Sequence, residues 1–581
     1  GSEALRVDSS QHLLVGHTSS LFSMALGVAG LDGGGSGISS SRFSNNTSPA
    51  TLLLSKSRGA TVGSYTVLQD NDQVGVIDFR GSDGTDNNPK VAEIMALIDG
   101  TPGSNDMPGR LEFKTTADGS DSTTTRLTID STGKATFTAD ASINSINIGK
   151  GANSVSTNTV LGESALDAAV TGAHNTGIGY FTLTNVTDGH SNTAVGSQAG
   201  RDLTSGDYNT CVGTSAGINI TTGNDNTAIG YQCLLNNETA IYNTAVGYQS
   251  LQAATGGQNT AIGHQAMYAN TTGTYNTVVG IGAGSSNTTG NYNHYFGRRA
   301  GRFGTTGGSN VGVGHEALTT NTTGSNNIAV GYEALKLSTT ASNNTALGHQ
   351  ALKANTTGSD NVAVGRLALQ LNTTATKNTA VGSQALDANT TGEHNTSLGY
   401  GSLSANTTAD NNTGIGSRAL LANTTGANNV AVGSLTLDAA TADNNNTAIG
   451  YASLTNNNGG ENCVAVGSFA LEENTTANNN TAVGTKALES NTTGASNTAV
   501  GANALDANTT GTSLTALGQN ALTTNTTADN NTAIGQNSME NNTTGEKNTA
   551  VGSGSLPANS TGSQNTAIGY LALQSNTTAS N

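Results

Sequence analysis

A strict repeat of 17 residues constrains the fold of this chain more than any other feature. From residue 158 to the end, the motif Asn-Thr-Ala-Val-Gly-x-x-Ala-Leu-x-x-Asn-Thr-Thr-Gly recurs, and its marker glycines run from Gly162 to Gly569. There are 25 of these glycines, and every interval is 17 residues except the 16 between Gly247 and Gly263. Such a period is typical of proteins in which each repeat is one supersecondary unit and stacked units share a core.

Each position of the repeat, counted from the marker glycine, has a characteristic residue type. Position −1 is aliphatic in 24 of 25 copies, with Phe296 as the exception, and position +3 is always small. Position +4 is Leu or Met in 21 copies and Gly in the other four. Position −4 is Asn in 23 copies, with Cys463 and Leu514 as exceptions. Each copy thus supplies about two large apolar side chains, which bury a core only when copies stack.

The residue types favour strands and turns over helices. Helix pairs need about 33 to 47 residues per repeat, and Asn-Thr-Thr-Gly is turn chemistry because Asn and Gly tolerate positive φ. Thr-Ala-Val-Gly predicts one short strand, and the following Ala-Leu predicts the start of a second. We therefore predict an all-β chain, with a parallel β-solenoid or β-roll of about 25 coils of 17 residues. Coils spaced by about 4.8 Å would form a rod of roughly 120 Å.

Within this solenoid, the repeated polar residues predict structural roles. The Asn at −4 should form a ladder of stacked side-chain amides along the rod, represented by Asn192, Asn209, Asn226, Asn243, Asn344 and Asn378. The marker glycines should allow close backbone approach or a bend, as at Gly196, Gly230, Gly247, Gly348 and Gly382. Strand alternation predicts the aliphatic residue inside the coil and its Ala and Gly neighbours outside. A flat, mildly apolar outer strip predicts packing against sister chains, most simply in a homotrimer.

The repeat resembles the head repeats of trimeric autotransporter adhesins. The resemblance is carried by Asn-Thr-Ala-Val-Gly-x-x-Ala at residues 192–199 and by residues 243–247 with Ser250, and it covers about residues 158–581. It implies a left-handed parallel β-roll that is trimeric along its length. The coils of that family are usually shorter, so the turn here is expected to be longer.

The N-terminal part lacks the period and predicts a different organisation. We divide the chain into an N-terminal β connector (1–44), an antiparallel β module (45–140), a transition (141–157) and the solenoid shaft (158–581). Residues 4–16 predict strand, turn and strand, and residues 27–49 are rich in Gly and Ser, as in a connector. In the module, strands are expected at 51–54, 64–68, 74–79, 90–98, 111–115, 126–129 and 135–138, and residues 142–150 lead into the roll.

This N-terminal part, about residues 1–150, resembles modules of bacteriophage tail fibres, especially those of marine phages. The resemblance lies in Arg6-Val7-Asp8-Ser9-Ser10, Ser57-Arg58-Gly59, Asp99-Gly100-Thr101-Pro102-Gly103, Met107-Pro108-Gly109-Arg110-Leu111 and Arg126-Leu127-Thr128-Ile129-Asp130. Such fibres often end in an intramolecular chaperone that trimerises the chain and cleaves itself off. Because this chain stops inside a repeat, we expect a C-terminal domain that was removed or lies beyond the sequence.

Composition argues against several functional classes. The formal charge is −17, from 22 Lys and Arg against 39 Asp and Glu, without a basic cluster that could track phosphates. No run of 18 apolar residues predicts membrane insertion. No paired carboxylates, catalytic motif or metal-ligand spacing occurs, and the three cysteines form no framework. We predict no enzyme, catalytic residue, metal or cofactor, and no nucleic-acid partner.

Two surface features leave a functional and a structural interpretation open. The residue after the marker glycine is often Tyr or His, as at Tyr231 and His349, which suits either a sugar or receptor stripe or aromatics that shield the neighbouring coil. Residues 281–310 depart most from the consensus and suit either a partner patch, because aromatics and Arg dominate hot spots, or a repacked coil with Phe303 in the space left by Leu. The candidate patch is Tyr292, Tyr295, Arg298, Arg299, Arg302 and Phe303.

The sequence therefore predicts a bacteriophage tail-fibre protein, located in the virion and extracellular. Its trimeric shaft would present a surface for a host cell-surface receptor, with a glycan as one candidate, and other virion tail proteins would be partners. A bacterial trimeric surface adhesin or extracellular filament is the alternative. An ice- or surface-binding solenoid is a third class, which would need flat paired Thr rows on one exposed face.

Overall fold

The computed structural model describes residues 6–7, 13–14, 50, 52–60, 64–85 and 89–581. The chain divides into two compact units, residues 1–139 and 140–581. The regular elements in these described ranges are β-strands, apart from one 3-10 turn at Ala152–Ser154. None of the described elements is a helix long and apolar enough to span a membrane.

The first unit contains a short hairpin and a five-stranded antiparallel sheet. Strands β1 (Arg6–Val7) and β2 (Leu13–Leu14) pair antiparallel, and most of the predicted connector, residues 1–44, lies outside the described residues. The sheet follows chain order, with strands β3 (Gln73–Arg80), β4 (Lys90–Ile98), β5 (Gly109–Thr116), β6 (Thr123–Ile129) and β7 (Ala135–Phe137). The strands predicted at 74–79, 90–98, 111–115, 126–129 and 135–138 are therefore found.

Two other strands predicted in this unit are wrong. Residues 52–54 and 64–68 have no regular structure, and residue 51 lies outside the described residues. Leu52, Leu53 and Tyr65 are mostly exposed. An apolar run becomes a strand only where a neighbouring strand supplies hydrogen bonds, and these segments pair with no described strand.

The second unit begins with a hairpin and continues as one long parallel ladder. The hairpin is formed by β8 (Ala141–Ile143) and β9 (Ile146–Gly149), and β9 pairs antiparallel with β10. The 25 parallel strands are β10 (Thr159–Gly162), β11 (Thr176–Ile178), β12 (Thr193–Val195), β13 (Thr210–Val212), β14 (Thr227–Ile229), β15 (Thr244–Val246), β16 (Thr260–Ile262), β17 (Thr277–Val279), β18 (His294–Phe296), β19 (Val311–Val313), β20 (Ile328–Val330), β21 (Thr345–Leu347), β22 (Val362–Val364), β23 (Thr379–Val381), β24 (Thr396–Leu398), β25 (Thr413–Ile415), β26 (Val430–Val432), β27 (Thr447–Ile449), β28 (Val464–Val466), β29 (Thr481–Val483), β30 (Thr498–Val500), β31 (Thr515–Leu517), β32 (Thr532–Ile534), β33 (Thr549–Val551) and β34 (Thr566–Ile568).

The register of this ladder equals the sequence period. Thr193 pairs with Thr210 and Thr210 with Thr227, and the same step continues to β34. At the shortened coil Thr244 pairs with Thr260, so the missing residue is absorbed outside the strand. The predicted parallel β-solenoid with coils of about 17 residues, preceded by a small antiparallel sheet, is confirmed.

The predicted alternation of the strand is wrong in direction. The middle residue of each strand points inward and is buried, and it is Ala in 17 of the 25 strands, as at Ala380. The aliphatic residue at −1 points outward, and Leu347 and Leu398 are each 46% exposed. Most strand centres are small, with Val160, Val278 and Tyr295 as the larger exceptions, and Leu at +4 supplies most of the bulk of the core, as at Leu386.

The predicted second strand of each coil is also wrong. After the marker glycine, positions +2 and +4 have positive φ, for example Gln384 (57°) and Leu386 (54°). A strand requires negative φ throughout. The segment still bonds to both neighbouring coils, because Gln384 N–H donates to Arg366 O (2.9 Å) and Leu386 N–H to Ser402 O (3.0 Å). Each coil therefore has one strand of three or four residues and one turn-like segment with alternating φ sign.

Candidate functional site

The outward face of the strands carries a continuous aliphatic column. It consists of the 25 residues at position −1, which are exposed or half-buried in the single chain. We call this column the strand face. A neighbouring row at −3 is mostly Thr, interrupted by His294, Val311, Ile328, Val362, Val430 and Val464. The outer surface is thus more apolar than the Ala and Gly strip predicted from the sequence.

The asparagines at −4 form a buried column along the solenoid. Asn378 N–H donates to Asn361 Oδ1 (3.0 Å), and Asn395 N–H donates to Asn378 Oδ1 (2.8 Å). The Asn378 Nδ2 group also donates to the carbonyl of Gly392 (2.8 Å), near the end of its own coil. Each side-chain amide thus links its own coil to the next one and also bonds to a carbonyl near the end of its own coil. The six representative asparagines at 192, 209, 226, 243, 344 and 378 are all at most 1% exposed.

A second asparagine column was missed in the sequence. Position +7, read there as turn chemistry, is Asn in 17 of 25 coils. Asn389 is fully buried, and its Nδ2 donates to Asn372 Oδ1 (2.9 Å) and to the Gly392 carbonyl (2.9 Å). The Gly392 carbonyl therefore accepts from both columns. The regular recurrence of Asn was the available signal, because a turn alone also accepts Gly, Asp or Ser.

Leu514 interrupts the first column and suggests a stabilising substitution. Its backbone N–H donates to Asn497 Oδ1 (2.9 Å), but its side chain offers no oxygen to the N–H of Asn531. Leu514→Asn keeps the same branched arrangement of heavy atoms and restores that acceptor, so we expect the local unfolding free energy to rise by about 1 kcal/mol. Hydrogen exchange at coils around residue 514 should slow. Leu505→Asn, which places an amide among apolar side chains, should accelerate it, and equal effects of the two substitutions would contradict the ladder.

Asp443 replaces a missing amide in the second column. Its coil has Ala440 at +7, and the Asp443 carboxylate accepts a hydrogen bond from Asn457 Nδ2 (2.8 Å). Below it, Asn423 Oδ1 is buried without a donor. Burial raises the pKa of Asp443, and the nearby charge of Glu461 raises it further, against hydrogen bonds from the Gly459 N–H and from Asn457.

This carboxyl predicts a pH-dependent stability. Because its pKa is raised on folding, its contribution is fully present below the unfolded value of about 3.9 and is lost as the pH rises through the folded pKa. Asp443→Asn removes this dependence, so the variant should be more stable than the parent chain at pH 7.5, and the gain should shrink at pH 4. Hydrogen exchange of the coils around residue 443, compared between the two proteins at each pH, measures the difference. A gap that is constant with pH would show that the carboxyl does not titrate as proposed.

The structure divides the candidate patch at 281–310. Tyr295 points inward and is 2% exposed, with its hydroxyl donating to Asn293 Oδ1 (3.3 Å), and burial raises its pKa. The other five residues lie on the outside. Phe303 is 43% exposed, so it does not fill the core space left by Leu. Tyr295 fills that space, because a Cβ at Gly301 would lie 2.6 Å from its Cε1.

The arginines of this patch are mostly engaged with neighbouring coils. Arg299 pairs with Glu316 (3.3 Å), which also pairs with Lys336 (2.7 Å). Arg298 lies 2.9 Å from His315 Nε2, and Arg302 lies over the ring of the adjacent Phe303 (4.9 Å). The six residues do not converge on one pocket. These contacts support the interpretation of a repacked coil with Tyr295 in its core. Tyr292 and Arg298 lie at the surface.

Aromatic rings at +1 and +12 stack on one another along the rod. Tyr248 lies between Tyr231 (5.3 Å) and His264 (5.0 Å), with interplanar angles of 17° and 9°. His315, Tyr332 and His349 form a second stack, and Tyr275 with Tyr292 a third. Within each stack the facing sides of the rings cover one another, so those sides are not free to bind a sugar. These stacks support the interpretation that the aromatics shield neighbouring coils.

One surface notch lies between neighbouring coils near Gly401. It measures about 350 Å³ and arises at Gly401, where the absence of a side chain opens a gap between two coils. Its lining is Gln384, Asp387, Tyr400, Gly401, Ser404, Arg418 and Leu421. Burial raises the pKa of Asp387, and its Oδ1 has no hydrogen-bond partner. Asp387 is the one acidic side chain among these lining residues, whereas glycoside hydrolysis uses a pair of carboxyl groups.

Metal binding needs clustered ligand side chains, and thiol chemistry needs an accessible thiolate. No group of three or more His, Cys, Asp or Glu side chains in these ranges could hold a metal ion. Cys211, Cys233 and Cys463 are free and buried, and burial raises the pKa of Cys211 and Cys233 to about 12.

Comparison of the chain with known proteins finds neither a matching family model nor a matching curated protein.

Proposed function

We propose that this chain is a structural fibre protein whose solenoid is a stiff shaft in a bacteriophage tail fibre. The carrying observation is the unbroken ladder of 25 parallel strands in one register, reinforced by two buried asparagine columns. Bending such a rod would have to open backbone and side-chain hydrogen bonds at many coils together. A stiff spacer of this kind places a receptor-binding surface away from the virion, and the proposed partners are host receptors and other tail proteins.

The proposal includes a homotrimer assembled through the strand face. A continuous column of 25 apolar side chains, each exposed or half-buried, is a longer apolar patch than the surface of a monomer usually carries. Identical columns of three chains would cover one another around a common axis. Several fibres on one virion then add avidity to weak single contacts.

Mass measurement and charge insertion test the trimer. In light scattering, the assembly formed by the native chain should have three times the 58.0 kDa mass of one chain. Leu347→Lys/Leu398→Lys/Leu517→Lys places like charges at the strand face and should dissociate it. Tyr332→Lys/Tyr400→Lys/Tyr451→Lys changes residues of similar exposure in the +1 column and should not. A monomeric native chain would overturn the trimer.

Localisation tests the fibre role against the alternative adhesin. Antibodies against the purified chain should label tail appendages of virions in electron micrographs. Labelling of bacterial cell surfaces without virions would favour the surface adhesin or filament instead. The ice-binding class receives less support, because the Thr row at −3 lies beside the strand face at −1 and not beside a second Thr row.

A further inference from the structure

The five-stranded sheet of the N-terminal unit has one face that is apolar across every strand. Ile77 pairs with Ile94, Ile94 with Phe113, Phe113 with Leu127 and Leu127 with Phe137. Paired residues point to the same side of a sheet. These five side chains therefore form one row that crosses β3 to β7. The neighbouring row adds Gly75, Ala96, Leu111, Ile129 and Ala135.

Among the described residues, only Leu54 is seen to pack on this apolar face, and the side chains of the face remain exposed or half-buried. Ile77 is 42% and Phe137 54% exposed, and Ile94, Phe113 and Leu127 between them are only half-buried. Leu54 packs at one corner, beside Gly75. A small open sheet is stable only when such a face is packed against another layer. The face therefore requires an occupant.

The opposite face needs no partner because its charges satisfy one another. Glu112 pairs with Arg110 (2.7 Å) and Lys114 (3.0 Å). Glu93 is buried, accepts a hydrogen bond from Thr123 (2.8 Å) and pairs with Lys90. Met95 and Leu97 on this side are already buried within the chain, so the unmet demand for burial lies on the apolar face alone.

We infer that the apolar faces of three copies of this sheet pack together around a three-fold axis. Five strands at about 4.8 Å make a face roughly 24 Å wide, and three such faces enclose a triangular space whose centre is roughly 7 Å from each sheet. In a pair of stacked sheets, the midplane lies only about 5 Å from each sheet. The three-fold arrangement leaves a longer distance to its centre, and the long side chain of Phe113, on the middle strand, can span it. Identical apolar faces complement one another without any charge to match.

This arrangement predicts which residues of different copies meet. Strands β3 and β7 are the two edges of the sheet, so Ile77 of one copy lies near Phe137 of the next at each corner. The inference rests on the homotrimer part of the proposed function, but it uses a surface separate from the strand face. It assigns to the N-terminal sheet an apolar core that only the assembly completes.

Paired cysteines in the full chain test the corner contact. Ile77→Cys/Phe137→Cys, treated with a short bis-maleimide, should shift the chain from 58.0 kDa to a covalent species of three times that mass. Val76→Cys/Thr136→Cys places thiols on the same two strands but on the other face, and Val76 is 41% exposed against 42% for Ile77. This control should stay at single-chain mass, as should the native chain with its buried cysteines.

The outcomes separate the sheet from the shaft. Equal cross-linking of both pairs, or none in the apolar pair, overturns the inference. Thiols that are protected from a monofunctional maleimide but yield no interchain product would show that another segment of the same chain covers the face, which also overturns it. If the apolar pair fails to cross-link but native mass spectrometry shows that the protein is a trimer, only the inference about the sheet is wrong. A monomer would remove the homotrimer as well.

Discussion

Gly399→Ala is expected to break the solenoid at one coil, whereas Gly401→Ala, two residues later, is expected to leave it intact. Gly399 has φ of 139°, and an added Cβ would lie 2.6 Å from the carbonyl carbon of Gly416 in the next coil. That backbone cannot move without opening the ladder, so the local cost should exceed about 4 kcal/mol. Gly401 has φ of 60°, and its Cβ would meet only Leu421 Cδ1 at 3.7 Å. The cost there is backbone strain of about 1–2 kcal/mol.

The measurement must be local because long repeat arrays do not unfold in two states. Hydrogen exchange and limited proteolysis should show opening at the coils around residue 399 in the first variant only. Protection elsewhere along the rod should be retained, since each coil contacts only its neighbours. Similar exchange in both variants would mean that the glycine column is not needed for close stacking.

Tyr295→Ala is expected to produce the second large effect, by opening a cavity in the core. The ring fills space over Gly284, Gly301 and Gly312, each of whose added Cβ would lie within 3.4 Å of it. Truncation of a buried aromatic costs about 3–5 kcal/mol. Tyr292→Ala in the same coil removes an exposed ring stacked on Tyr275, and should cost about 1 kcal/mol or less.

A second substitution makes this prediction specific to packing. Tyr295→Ala/Gly301→Leu converts the coil to the consensus, with Ala inside the strand and Leu at +4. The double variant should recover most of the lost protection in hydrogen exchange, because Leu takes the same positive φ at +4 elsewhere, as at Leu318 (53°). If it is no more protected than the single variant, the cavity explanation is wrong.

Much of the solenoid could be predicted because each repeated residue reports a requirement of stacking. The spacing of the marker glycines predicted the register, and the Asn at −4 predicted a ladder. The N-terminal sheet was predicted less completely, since residues 52–54 and 64–68 are as apolar as real strands. Whether such a segment pairs depends on neighbours that are distant in sequence.

The candidate site was harder to predict. Tyr295 and Phe303 are both aromatic residues in a coil that lacks Leu at +4, and composition does not tell which of them turns inward. Tyr295 occupies the strand centre, where its neighbour Gly312 leaves room, and this became visible only from the stacking of three coils. Asp443 likewise acquires a role only because Ala440 lacks the amide of the second column.

The sequence by itself determined the number of coils, the parallel register and the need for glycine and asparagine at fixed positions, because these depend on a period that every stacked copy must share. Only the tertiary structure decided which side of each strand is inside. Alternation allows either choice, and in most coils Leu at +4 leaves room for only a small residue at the strand centre, whereas Tyr295 fits there beside Gly284, Gly301 and Gly312. The same packing places the aliphatic residues outside, where the proposed sister chains would cover them.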